Sequence, residues 1–269
     1  MSYLSRLIPA LALALPLAPA ALANPYENNV SARILPGWRG ADGRHVAGLE
    51  LTLTKGWKTY WRSPGEAGVP PIFDWSGSDN LSAVQVVWPR PTVFDQNGLR
   101  SIGYHGRVVL PLVLTPARAG QPIRLDGDVS LGICEDVCVP LDLRISGTLP
   151  AQGGGRDPAI AAAMADRPYS AREAKVGKVE CHLTPGQRGI GLSVDIAMPS
   201  AGGRETIVVE SNDPGLWVAD AETVRQGNRV VARTEIMHSA GGSFALDRSG
   251  LTITVLGRDH AVEISGCGG

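Results

Sequence analysis

The chain has little net charge. Its 25 Lys and Arg stand against 26 Asp and Glu, a formal −1 at pH 7. That leaves no electrostatic case for nucleic acid or an anionic membrane surface as a partner. Long apolar runs are missing beyond Leu22, so no later segment reads as a membrane span. Long helical periodicity is scarce, and there is no short-period repeat. Hydrolase signatures are absent too: Gly191-Leu-Ser193-Val-Asp195 lacks the closing glycine of a nucleophile elbow. The glycine run at 153–155 lacks the Gly-Lys-Ser/Thr ending of a P-loop. Cysteines number only four, and no second Cys/His pair stands at zinc-ligand spacing. Neither a cofactor nor a resident metal is expected.

What is present begins with an export signal. Arg6 is the only early positive charge, and an Ala- and Leu-rich run follows from Leu7 to Leu22. It ends in Ala21-Leu22-Ala23, a small-residue pattern that signal peptidase accepts. Pro9, Pro16 and Pro19 interrupt the run, which is short for a span. Residues 1–23 are therefore read as a signal peptide, with the mature chain starting near Asn24. So short a signal looks bacterial and implies a soluble periplasmic product, in a compartment that permits disulfides.

Short β-branched runs separated by Gly, Pro and Asn turns indicate an all-β protein. Apolar alternation marks strands at Val46–Thr54, Val84–Trp88, Val108–Leu114, Ile123–Leu131 and Val139–Ile145. Residues 24–149 are predicted to form one β-sandwich. Gly and Pro crowd from Pro150 to Pro158, and the one good helix candidate, Ala159–Asp166, follows. Residues 150–174 read as a linker carrying that short helix. The strand pattern resumes over 175–269, enough for a second, smaller sandwich.

Cys134 and Cys138 stand four positions apart in Leu131-Gly-Ile-Cys-Glu-Asp-Val-Cys-Val-Pro140. On one straight strand they would be about 13 Å apart, too far for a disulfide, which needs Cα atoms about 4.4–6.8 Å apart. On a helix their Cβ atoms would stand roughly 5–6 Å apart, again too far. A hairpin with Glu135-Asp136-Val137 as its loop places them opposite each other. A bridge across so small a ring removes little chain entropy. It is a poor staple, and a small ring is more readily reduced, which tilts the balance from structure toward redox work. Glu135 and Asp136 beside the thiols disfavour a thiolate. The pair is better suited to being attacked by a partner's thiolate than to attacking.

Cys181 and Cys267 open and close the second half. A bond between them would close a long loop, worth roughly 4–5 kcal/mol in the chain-entropy model. They read as a structural disulfide. The alternative is a free reactive Cys267 in a glycine-rich tail.

The stretch Gly56-Trp-Lys-Thr-Tyr-Trp-Arg-Ser-Pro-Gly-Glu-Ala-Gly-Val-Pro-Pro-Ile-Phe-Asp-Trp75 resembles the periplasmic N-terminal region of the DsbD-like thiol:disulfide reductases. The ScsB type, associated with suppression of copper sensitivity, is the nearest likeness. Trp88-Pro89, Gly103-Tyr104 and Ile133-Cys-Glu-Asp-Val-Cys-Val-Pro140 follow in the family's order. The resemblance implies immunoglobulin-like sandwiches and an active-site pair at Cys134 and Cys138 cycling between dithiol and disulfide. It implies a membrane-embedded electron donor of DsbD or ScsB type and periplasmic thioredoxin-fold partners, with a link to copper tolerance. It also implies an aromatic-bearing cover over the disulfide, for which Tyr60, Trp61, Phe94 and Tyr104 are candidates, with Glu135 and Asp136 completing the environment. Neither a transmembrane region nor a thioredoxin-like Cys-x-x-Cys domain is found here, so electrons must come from another polypeptide.

Two readings compete. The two thiolates suit Cu(I), with a His or Met added. Alternatively, a β-sandwich with exposed tryptophans is a carbohydrate- or protein-binding module whose disulfides are structural.

Overall fold

The computed structural model describes residues 25–96 and 98–268. The signal segment 1–23 and Asn97 of the Asn97-Gly98 turn lie outside the described residues. The first half contributes β1 (Val30–Arg39), β2 (His45–Leu53), β3 (Lys58–Tyr60), β4 (Ile72–Asp74), β5 (Leu81–Val86), β6 (Thr92–Gln96), β7 (Leu99–His105), β8 (Arg107–Pro116), β9 (Ile123–Cys134) and β10 (Cys138–Leu149). One helix, α1 (Pro158–Ala165), follows. Then come β11 (Tyr169–Ser170), β12 (Val179–Pro185), β13 (Ile190–Ala197), β14 (Thr206–Ser211), β15 (Leu216–Val218), β16 (Glu222–Gln226), β17 (Arg229–His238), β18 (Leu251–Leu256) and β19 (Ala261–Ser265).

These strands make an all-β molecule of two immunoglobulin-like sandwiches. In the first, the sheet β1-β2-β8-β5 faces the sheet β10-β9-β3-β7-β6, with β4 added beside β9. In the second, β11-β19-β18-β14 faces β12-β13-β17-β15, with β16 also on β17. All pairings between these strands are antiparallel except β11 with β19. Side chains alternate between the faces of a strand, and β10 shows it plainly: Leu141, Ile145 and Leu149 are buried, while Pro140, Asp142 and Arg144 are exposed. Each sandwich closes over its own apolar core, Leu49, Trp61, Leu112, Leu125 and Ile133 in the first, Val194, Ile196, Val230 and Ile253 in the second.

Three elements lie outside the strands and bounds read from the sequence. Strand β1 carries Pro36-Gly37; a register shift between Leu35 and Trp38 absorbs the two residues and pairing continues. Helix α1 is capped by Asp157, whose side chain accepts from the Ala159 and Ile160 amides. It lies on the first sandwich, with Ile160 fully buried beside Leu35 and Val109. Gly48 leaves the space, since a Cβ there would stand 2.9 Å from Ile160. Strand β11 lies within the segment read as a linker and pairs in parallel with β19.

The outer face of the β11-β19-β18-β14 sheet is covered by the first half. Val208, Leu256 and Ala261 pack with the first core, and Thr254 between them is fully buried. Glu210 and Glu263 point to that same side, because Glu210 pairs with Thr252 and Glu263 with Thr254.

Candidate redox site

The β9–β10 hairpin puts Cys134 directly opposite Cys138 at its closed end, with Glu135, Asp136 and Val137 as the loop. The two are disulfide-bonded, with Cα atoms 4.1 Å apart. Even-numbered residues of both strands face outward, so the sulfurs lie on the outer face of the sheet. Yet Cys134 is only 4% exposed, while Cys138 is exposed. The difference follows from position: β10 is the edge of the sheet, whereas β9 lies between β10 and β3.

Strand β3 runs beside β9 with Lys58 opposite Cys134. Two residues on, Tyr60 reaches the same outer face beside Gly132. Gly132 is the seat for its ring: a Cβ there would stand 2.9 Å from Tyr60 Cε2 and 3.4 Å from Val69 Cβ. The Tyr60 hydroxyl stands 3.3 Å from Cys138 Sγ and donates to the Ala67 carbonyl at 3.4 Å. Burial raises the Tyr60 pKa, so the phenol keeps its proton. The segment 62–70 completes the cover, with Val69 half exposed beside Gly132. Val137 on the hairpin loop adds exposed apolar surface next to Cys138, and Ile72 on β4, paired with Ser130, adds more farther along the same sheet.

The four aromatic candidates therefore separate. Tyr60 lies against the disulfide. Trp61, the next residue, points to the opposite face and is fully buried in the core. Tyr104 also faces the core, donating its hydroxyl to Pro89 O at 2.8 Å. Neither belongs to the cover; strand alternation sends both inward. Phe94 shares the outer face but sits on β6, three strands from β9, about 14 Å at the usual strand spacing. It stacks edge-on to His105 and under the Lys58 ammonium, 5.0 Å from its ring centre. Lys58 is itself buried, hydrogen-bonded to Ser101 Oγ at 2.9 Å, and desolvation lowers its pKa. Glu135 and Asp136 are exposed; the Glu135 carboxylate packs where a Cβ of Gly56 would project, and Gly56 has φ +94°. Sequence reading missed Lys58, Gly132 and Val69. The alternation Trp57, Thr59, Trp61 against Lys58, Tyr60 carried the signal that separates Tyr60 from Trp61.

Cys181 and Cys267 are also bonded, tying β12 to the residues after β19 across a separation of 86. Cys181 is buried. Among the described residues no group of three or more His, Cys, Asp and Glu side chains is placed to hold a metal ion. Nor is any helix there long and apolar enough to cross a membrane. Trp217, 42% exposed, is the one tryptophan among the exposed large hydrophobics.

Residues 31–150 match the family model for the N-terminal region of the thiol:disulfide interchange protein DsbD. They form a DsbD-like N-terminal domain. Both members of the opposed cysteine pair and the whole of the Tyr60 cover lie in that DsbD-like domain. The fold of the chain is similar to the crystal structure of the N-terminal periplasmic domain of ScsB from Proteus mirabilis, with a TM-score of 0.68 and 24% identity. That match covers 92% of this chain and 97% of the other, so it takes in both sandwiches. The reduced DsbD N-terminal domain of Neisseria meningitidis aligns at 18% identity over 49% of this chain and 91% of its own, with a TM-score of 0.28. No curated protein matches the chain.

Proposed function

We propose that the protein is a periplasmic thiol–disulfide exchange protein of the protein-disulfide reductase type, with Cys134 and Cys138 as its redox pair. The observation that carries this is the unequal exposure of two bonded cysteines at one end of a DsbD-like domain. A structural bridge gains nothing from setting one cysteine on an exposed edge strand and burying the other. An exchange site needs one attackable sulfur and one leaving group.

In the proposed cycle a donor thiolate attacks Cys138 Sγ. The Cys138–donor bond forms as the Cys134–Cys138 bond breaks, and the electron pair goes to Cys134 as a thiolate, which takes a proton. The donor's second thiolate then attacks the mixed disulfide. The donor leaves oxidised, and the pair holds two electrons and two protons as a dithiol. Running the same steps backward against an oxidised partner delivers them. The Tyr60 hydroxyl, 3.3 Å from Cys138 Sγ, is placed to donate to that sulfur when it carries negative charge. The donor is a membrane-embedded protein of DsbD or ScsB type, and the acceptors are periplasmic thioredoxin-fold proteins. Residues 24–149 form the redox module, 150–174 the connection and 175–269 a second sandwich stapled by Cys181–Cys267.

The test is capture of a thioredoxin-fold protein whose own resolving cysteine is removed. Cys134→Ala, which keeps the exposed sulfur, is expected to accumulate the mixed disulfide, and Cys138→Ala is expected to accumulate little. Capture by neither variant would sink the exchange reading.

A further inference from the structure

The cover over the disulfide is held from outside the DsbD-like domain. Tyr60 and residues 62–70 form the cover, and the residue where it begins, Arg62, reaches across to the second half. Its guanidinium takes both carboxylate oxygens of Glu210 at 2.9–3.2 Å and Glu263 at 2.6 Å. These carboxylates come from β14 and β19, on either side of β18, so one arginine spans three strands. The group also lies over the Trp61 ring, 4.4 Å from its centre. Farther along the same segment, Glu66 accepts from the Asp220 amide at 3.3 Å. Arg100, whose carbonyl lies beside Gly65, donates to Ala221 O at 3.2 Å. The inner end of the segment is fixed to β7, where Ile102 N donates to Pro64 O at 2.8 Å. Behind it is a cavity of about 670 Å³, walled by Ser63, Glu66 and Arg100 on one side and by Val208, Trp217 and Asp220 on the other.

We propose that the second sandwich is the anchor of the disulfide's cover, and that Arg62 is the positioning residue that transmits it. A forked, partly buried arginine with two carboxylate partners is strongly directional. Its partners are costly to strand, since each would be left as a partly desolvated charge. The closed cover is therefore the resting state. Opening toward the cavity requires the Arg62 pairs to be given up. This inference rests on the exchange reading for its functional meaning, because the cover matters only if Cys134–Cys138 reacts. The anchoring itself is readable without any partner.

The test uses the full mature chain with Glu210→Gln and Glu263→Gln combined, two changes remote from the sulfurs. Amide hydrogen exchange over residues 63–70 is expected to quicken about tenfold, as local opening becomes easier. Reduction of Cys134–Cys138 by dithiothreitol is expected to quicken about three- to tenfold with it. Amides of β13 and β17 report that the second sandwich remains folded. Arg62→Lys, which keeps the charge but not the fork, should fall between wild type and Arg62→Met in both readouts. Unchanged exchange over 63–70 in the double variant overturns the anchor. A loosened segment with an unchanged reduction rate overturns its control of access. If the disulfide proves inert to every thiol, the exchange reading fails while the amide data still decide the anchor.

Discussion

Cys134→Ser leaves a single thiol at position 138 that reacts rapidly with an aromatic disulfide reagent, whereas Cys138→Ser leaves one at position 134 that reacts slower by about two orders of magnitude. Both thiols belong to the same hairpin pair, so sequence context alone gives no reason for so large a gap. The gap comes from burial: Cys134, on the inner strand β9, is 4% exposed, whereas Cys138, on the edge strand β10, is an exposed residue. Attack on a sulfur requires an approach along the S–S axis, and Cys134 lies between β10 and β3 with Lys58 opposite it, while the Tyr60 hydroxyl is the group at Cys138 Sγ. The measurement is the second-order rate constant of each single variant, followed by release of the reagent's chromophore. Equal rates would mean that this burial is no barrier, and the assignment of attacked and leaving sulfur would lose its basis.

Trp61→Ala is expected to cost about 3–5 kcal/mol of stability, the usual range for emptying a large aromatic site in a core. Trp61 is fully buried in the first core. No neighbour can collapse into the space without disturbing the sheets on both sides. Loss of the ring also removes the surface on which the Arg62 guanidinium lies. Trp217→Ala is the comparison: that ring is 42% exposed, and its removal should change stability by less than about 1 kcal/mol. Urea titration of the mature forms, followed by far-ultraviolet circular dichroism, measures both. Two sandwiches need not unfold in one step, so the transition that moves with Trp61 is assigned to the first. A shift for Trp61→Ala no larger than that for Trp217→Ala would contradict its place in the core.

The hairpin was legible in the sequence because two constraints agree there. Alternation in Ile123–Leu131 and Val139–Ile145 fixes two strands, and the chemistry of a disulfide fixes the register of their closed end. The structure pairs Cys134 with Cys138 and continues in step to Ile123 with Leu149. Strand β3 was not legible: three residues give no period, and its rich aromatic content hides which rings face the core. The bulge in β1, the edge strand β6 and its neighbour β7 were lost for related reasons, since local turn residues outweigh a pattern that only pairing completes. The Arg62 clamp was invisible. Its partners lie 148 and 201 residues away, and a lone arginine among many carries no mark of which carboxylate it will meet.

The central claim is that Cys134–Cys138 exchanges under conditions in which a structural disulfide does not. The most direct measurement equilibrates the oxidised protein with glutathione buffers of graded ratio, quenches with acid, alkylates the free thiols and locates them by mass spectrometry. The account predicts that Cys134 and Cys138 titrate together between oxidised and reduced, while Cys181 and Cys267 remain bonded throughout. A Cys134–Cys138 bond that stays closed in strongly reducing glutathione, alongside Cys181–Cys267, would contradict it.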